Sequence, residues 1–170
     1  TDKPIEKHGG VLGLNLLTRY DLEIDNAGKT ISLFTEDHCS GAGVYWADEA
    51  LTLMIDKRRP VKYLGTEVQA KDYENQITLP IARVTVGGKE ASAIFDTASS
   101  ETIVDTFFAK DHLGVTPAPP YTHTFKSFNV SGIEFSNMPA RLVRLEGVDV
   151  VLGMNEMKKL RIYFAFEDGM

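Results

Sequence analysis

Ala93-Ile94-Phe95-Asp96-Thr97-Ala98-Ser99-Ser100 decides how this chain is read. A small, apolar run ends on an aspartate, and a hydroxyl residue, a small residue and two further hydroxyls follow. Taken alone, Asp-Thr-Ala-Ser-Ser is a good polar turn between two strands, because Asp and Ser side chains bond nearby backbone in turns. The chemical reading is sharper. A water attacks a peptide carbonyl when one carboxylate takes its proton and a second, protonated carboxyl polarises the carbonyl. Two carboxyls held close cannot both ionise readily, so they share one proton and titrate as a pair. Each aspartate of such a pair needs a hydroxyl beside it and a small residue next, and Thr97, Ala98 and Ser99 fit.

The surroundings of this stretch are β-rich. Residues 79–86 alternate as a strand, with Pro80 near its start, where an edge tolerates it. Gly87-Gly88 reads as a hairpin turn and residues 90–95 as the return strand into the Asp96 loop. Residues 101–105 form a further short strand, and 106–112 a short helix ending near Gly114. Pro117, Pro119 and Pro120 then forbid regular structure. Residues 121–128 and 133–145 alternate about an Asn129-Val130-Ser131-Gly132 turn, giving a second hairpin. Residues 148–152 form a buried strand and 163–166 the last one. Many short strands with one or two short helices predict an all-β, closed or nearly closed architecture.

A repeat runs through the chain. Val11-Leu12-Gly13-Leu14-Asn15-Leu16-Leu17 aligns without a gap on Val151-Leu152-Gly153-Met154-Asn155-Glu156-Met157, and the alignment continues to Ile24 and Phe164. Both copies read as a buried strand, a glycine, a helical turn or two, then another strand. Self-similarity of this kind means one structural unit built twice. A hairpin at residues 31–34, after the Asn26-Ala27-Gly28-Lys29 turn, closes the first unit. The expected division is residues 1–34, the C-terminal part of a first lobe; 35–77, a connector; and 78–170, a lobe carrying the Asp96 loop. On this division the chain begins inside the first lobe.

The 170 residues are 43% hydrophobic, enough for a packed core, and 25% charged. A net charge of −6 argues against nucleic acid, which calls for a basic patch. Lys57-Arg58-Arg59, between Asp56 and Pro60, reads as a solvated turn. No window approaches the ~20 apolar residues of a membrane span. Cys39 is the single cysteine, so no internal disulfide forms. Asp37-His38-Cys39 holds metal-ligand types, but adjacent residues rarely converge on one ion and no second cluster completes a set. Asn129-Val130-Ser131 is a chance glycosylation triplet, and the glycine pairs lack the spacing of phosphate-cradling loops.

Together these motifs resemble a retropepsin-type aspartic peptidase unit. The carriers are the hairpin at residues 81–88, the loop Phe95-Asp96-Thr97-Ala98-Ser99, and Val150-Val151-Leu152-Gly153-Met154-Asn155, in that order, over about half the chain. The N-terminal copy, Gly10-Val11-Leu12-Gly13-Leu14-Asn15, resembles the end of another such unit, as in bacterial-type proteins with two units in tandem. The resemblance implies a closed acid-protease β-barrel lobe in which a hydrophobic-hydrophobic-Gly element packs behind the catalytic loop. It implies aspartic endopeptidase activity on an extended polypeptide, with Asp96 in a dyad, Thr97 and Ser99 orienting carboxylates, and Ala98 allowing close loop approach. The family usually has Gly at the Ala98 position.

The resemblance implies no metal and no organic cofactor. It places a substrate-covering flap over residues 121–135, with Tyr121, His123, Phe125 and Phe128 as contact candidates; each also reads as an ordinary strand residue. An extracytoplasmic, periplasmic location follows from the resemblance alone. Asp21, Asp25 and Asp149 lack the flanking Thr and Ser and read as surface charges. The partner aspartate therefore comes from a homodimer mate or from an upstream lobe. The alternatives are a non-catalytic peptide-binding or dimerisation module on the same fold, and an unrelated ligand-binding barrel with Asp96 in a plain turn.

Overall fold

The structure is a computed structural model describing residues 12–35, 44–46, 62–63, 81–166 and 168–170. Its centre is a closed barrel of six strands. In chain order these are β4 (Ile81–Val86), β5 (Lys89–Phe95), β6 (Thr102–Asp105), β7 (Thr122–Val130), β8 (Ile133–Val143) and β10 (Val150–Leu152). Around the barrel the order is β10-β5-β4-β7-β8-β6. Each stave has a neighbour on both sides, although β7 meets β4 at Phe128 and Asn129 alone. The all-β class with a closed barrel and short helices, expected from the sequence, is the class observed.

Local chemistry sets the elements. Gly87 and Gly88 take φ of 56° and 77°, the left-handed pair that a tight hairpin between twisted strands requires. Helix α2 (Thr106–Leu113) starts where the Asp105 carboxylate accepts from the amides of Phe107 and Phe108. It stops at Gly114, whose amide donates to Ala109 O. Burial in the strands follows period two apart from a change of phase between Phe125 and Phe128 and, opposite it, between Phe135 and Met138. Val84, Val86, Ala91, Ala93, Phe125, Phe128, Val130, Phe135, Met138, Ala140, Leu142, Val150 and Leu152 point inward and form one cluster. Each large member contributes about 1.5–3 kcal/mol by leaving water.

Two joins in the barrel are parallel, and these position the site. Strand β10 lies between β5, which it pairs in parallel (Val151↔Ile94), and β6, which it pairs antiparallel (Val151↔Ile103). The chain that leaves β5 and enters β6 thus straddles β10 from a point more than fifty residues later. Strand β8 completes the arrangement by pairing in parallel with β6.

Outside the barrel lies a three-stranded sheet, ordered β11-β1-β2, of β1 (Asp21–Asp25), β2 (Thr30–Phe34) and β11 (Arg161–Phe164). One face is apolar: Leu22, Ile24, Phe164 and Phe166 cluster with Leu17, Phe95 and Ile162. Phe95 meets Phe164 edge-on and so ties this sheet to the barrel strand that ends at Asp96. The other face is polar and buried. Glu23 accepts from Arg161 and from the Tyr45 hydroxyl, while Tyr163 Oη donates to Asp21 at 2.9 Å. Arg161 also lies over the Trp46 ring, 4.3 Å from its centroid. A two-stranded pair joins β3 (Lys62–Tyr63) to β9 (Leu145–Glu146). Residues 51–55, the basic turn at 57–59 and Cys39 lie outside the described residues.

The surface-charge reading of the remaining aspartates is corrected here. Asp21 is buried under Tyr163. Asp149 Oδ2 accepts from both the amide and the hydroxyl of Ser92, at 2.8 and 2.7 Å. Asp25 is partly buried and accepts from Gly28 N. Each carboxylate closes backbone or hydroxyl donors between neighbouring elements, which spacing to Thr and Ser does not reveal.

Candidate functional site

The Asp96 loop sits at the open end of β5 and is clasped from behind by the segment that follows β10. Asp96 N donates to Leu152 O at 3.0 Å, extending the parallel pairing by one rung. Met154 N then donates to Ser99 O (2.8 Å) and Asn155 N to Ser100 O (3.2 Å). These are first-turn amides of helix α3 (Met154–Met157), which have no partner inside the helix. The loop carbonyls supply what the helix start lacks, and the helix start fixes the loop.

Gly153 makes the clasp possible. A Cβ there would stand 2.4 Å from Glu101 C and O, closer than any side chain can sit to backbone. Its φ of −94° is ordinary, so the requirement is space, not conformation. Its amide donates to Thr102 Oγ1 at 3.2 Å. The same hydroxyl donates to Asn155 Oδ1 at 2.8 Å, and Asn155 Nδ2 reaches Pro139 O at 3.3 Å. Thr102, fully buried, is thereby fastened to α3, and α3 to β8.

Within the loop, Ala98 N donates to Asp96 Oδ1 at 2.9 Å, and Ser99 N to Asp96 O at 3.2 Å. The carboxylate is partly exposed, while Thr97 and Ala98 are exposed. A backbone amide thus orients the carboxylate, and the Ser99 hydroxyl donates at 2.6 Å to Glu101 O, bracing the loop's exit. Exposed Glu101 and Arg141 approach to 3.7 Å beside it. This arrangement can hold one carboxylate in a fixed pose at a surface, with its loop barred from collapse.

The structure separates the four flap candidates. Phe125 and Phe128 are buried in the barrel core. Tyr121 and His123 are exposed, with the His123 ring edge-on to Phe125. Within residues 121–135, Phe128 and Asn129 pair with β4, whereas β8 meets β6 from Ala140 to Val143.

The sequence reading missed Asn155 and Thr102. One signal was available: Asn155 occupies the same place as Asn15 in the repeat, and a polar residue kept in both copies of an apolar unit has a job beyond packing.

Burial pushes the Asp105 carboxyl up, but the amides of Leu145 and Phe108 and the Arg144 guanidinium outweigh it and hold the group below the usual range. The bond to Glu23 raises the Tyr45 phenol, with burial adding to it, and likewise raises Arg161. No group of three or more metal-ligating side chains occurs among the described residues. No helix among them is long and apolar enough to cross a membrane.

No family model matches this chain, and no curated protein matches it. Among solved structures it is similar to a retropepsin-like aspartic protease from Rickettsia conorii, at 16% identity and TM-score 0.42, over 65% of this chain and 84% of that one. It is also similar to the retroviral protease-like domain of Ddi1 from Leishmania major, at 14% identity and TM-score 0.36, over 48% and 76%.

Proposed function

We propose that this chain carries one half of an aspartic endopeptidase site of retropepsin type, with Asp96 as its carboxylate. The observation that carries the reading is the clasp: a strand-terminal Asp-Thr-Ala-Ser loop bonded from behind by Leu152, Met154 and Asn155. A plain turn between two strands needs no such support, whereas a dyad needs two carboxylates fixed within bonding distance of one water. In the reaction, one carboxylate of the dyad takes a proton from the water as its oxygen attacks the scissile carbonyl. The other, protonated, donates to the carbonyl oxygen. The tetrahedral intermediate then expels the amine, which leaves with the proton held by the dyad, while a hydroxyl of the intermediate returns its proton to the other carboxylate as the new carbonyl forms.

Asp96 supplies one carboxyl, and a partner aspartate from outside this lobe the other. The Ala98 amide orients Asp96, and the small Ala98 side chain permits approach of the facing loop. Thr97, exposed at the front, and Ser99, bracing the exit, complete the loop. The substrate is an extended polypeptide bound by strand-edge hydrogen bonds. Residues 78–170 form the catalytic-type lobe, 35–77 the connector, and 1–34 the end of another lobe.

The test is cleavage of a diverse peptide pool from acidic to neutral pH, by this chain and by Asp96→Asn. Cleavage abolished by the substitution supports the mechanism. Equal cleavage by both removes Asp96 from it. Peptide binding without turnover in either favours the non-catalytic module.

A further inference from the structure

One stretch of the barrel edge is open, and the directions of the backbone bonds tell which groups it offers. In an antiparallel pair, successive residues point their N–H and C=O alternately at the partner strand and away from it. Leu142 N donates to Tyr121 O at 2.8 Å, in the register that pairs Thr122 with Arg141 and His123 with Ala140. Tyr121, His123 and Phe125 therefore bond β8, while Thr122 and Thr124 point their backbone groups the other way. On that other side, β4 pairs with β7 at Phe128 and Asn129 alone, and Gly87 N adds a bond to Ser127 O at 2.9 Å. Ser127 thus faces β4, where alternation continued from Phe125 would turn it to β8. The direction changes at Lys126 and Asn137, the opposed pair that the ladder skips, and Asn137 takes a left-handed φ of 55° there. No described residue pairs with the outer side of Thr122 and Thr124, and both are exposed, as is His123 between them.

This open edge runs on past the Gly87-Gly88 turn, which lies at the opposite end of β5 from Asp96. Cations gather around it, in a chain whose net charge is −6. Lys126 is exposed at its end, Lys89 follows the turn, and Arg141 stands opposite Thr122. Helix α2 carries Lys110 and His112 in its last turn, and Leu113 beside them lies against the same turn: a Cβ on Gly87 would be 3.3 Å from Leu113 Cδ2. Lys89, Lys110 and Lys126 make no ion pair with a described residue. The acids nearby are Asp111, next to Lys110; Glu90, which faces Arg83 at 3.7 Å; and Glu101, which Arg141 approaches to 3.7 Å. The surplus around the edge is positive.

We propose that the edge at Thr122 and Thr124 is a docking site for an extended, acidic segment of another protein. The segment adds a strand to β7. Its backbone bonds the outward N–H and C=O groups of the two threonines, and its carboxylates meet Lys89, Lys110 and Lys126. Main-chain bonds hold the segment, and the lysines select its charge. A second copy of this chain is the wrong occupant, because it presents the same positive edge and like charges across an interface repel. The docking needs no second aspartate and is independent of the chemistry proposed for Asp96. Its rival is an edge that the nearby lysines merely blunt against aggregation.

The probe is a blocked peptide that alternates glutamate with valine, set against its lysine counterpart and added to the 170-residue chain at low salt. Amide hydrogen exchange is read residue by residue. The glutamate peptide is expected to slow exchange at Thr122 and Thr124 at least about 10-fold, and to leave His123 and Phe125 unchanged because β8 already holds their amides. Thr124→Pro removes one outward donor and no bond to β8, and should weaken the peptide at least about 10-fold. Lys126→Glu should weaken it too and shift the preference toward the lysine peptide. If the proline variant fails to fold, the exchange pattern of the unsubstituted chain decides. No slowing by the glutamate peptide at millimolar concentration overturns the inference and leaves a blunted edge. Equal slowing by both peptides overturns it as well, since charge then selects nothing. So does protection that grows with the concentration of the chain alone, which makes a second copy the occupant.

Discussion

Leu152 and Leu12 hold the same place in two copies of one structural unit, one wrapped in a barrel and the other open to water. The backbone of the unit is the same in both settings, so its shape is intrinsic to the glycine, the helical turn and the strand. What the barrel adds is energy and a task. In the covered copy the helix start satisfies loop carbonyls and holds a carboxylate in place. The lesson is that the clasp is an autonomous motif, and the site is what the motif is wrapped in.

The comparison breaks most readily at the glycine. Gly153→Ala drives a methyl into the Glu101 carbonyl, which is backbone and cannot swing away. Urea unfolding is expected to show a loss of at least about 3 kcal/mol. Next is the leucine pair. Leu152→Ala is expected to cost about 2–5 kcal/mol by leaving a cavity, and Leu12→Ala in this chain less than about 0.5 kcal/mol. Equal costs for the two would mean that the copies are equally packed and would end the contrast. Asn155→Ala leaves the buried Thr102 hydroxyl without its acceptor, at an expected cost of about 1–3 kcal/mol. Amide exchange should speed at Asp96 and Met154, which sit at the loop's rear contacts, while the β1–β2 hairpin stays unchanged.

A smaller effect separates barrel from sheet by pH. The Asp105 carboxyl titrates below its ordinary value when folded, so the unfolded chain binds its proton more readily. Its contribution is full above the ordinary carboxylate value, about 3.9, and is lost as pH falls through the lower folded value. Asp105→Asn should therefore flatten the acid limb of a melting-temperature profile and lower the plateau at neutral pH. An unchanged acid limb would show that the Asp105–Arg144–Leu145 contacts carry no linkage.

Much of the fold was legible, for reasons of period and punctuation. Alternating residues marked β4, β5, β7 and β8, and Gly87-Gly88 and Ser131-Gly132 marked the turns between them. The repeat was visible because both copies carry leucine and glycine at the same point; at Gly153 a Cβ would strike the Glu101 backbone. Alternation shows that residues 122–143 form a hairpin and not which staves it bonds, so the sequence does not separate wall from flap. Phe125 and Phe128 look alike in a wall and in a lid. Asp21 and Asp149 were misread because burial of a carboxylate depends on donors brought from Tyr163 and Ser92, far away in sequence. Asn155 was passed over since its partner, Thr102, lies on the other side of a β-hairpin.

Strand β10 threads between β5 and β6 although it begins 55 residues after the end of β5 and 45 after the end of β6. On a ribosome, the residues around Asp96 emerge with their rear support still unsynthesised. Leu152, Gly153, Met154 and Asn155 must all leave the exit tunnel before the loop acquires a fixed form. The order of synthesis thus acts as a timer: most of this lobe has to be made before its aspartate can be held in place, and a truncated product ending before Leu152 carries the motif without the geometry.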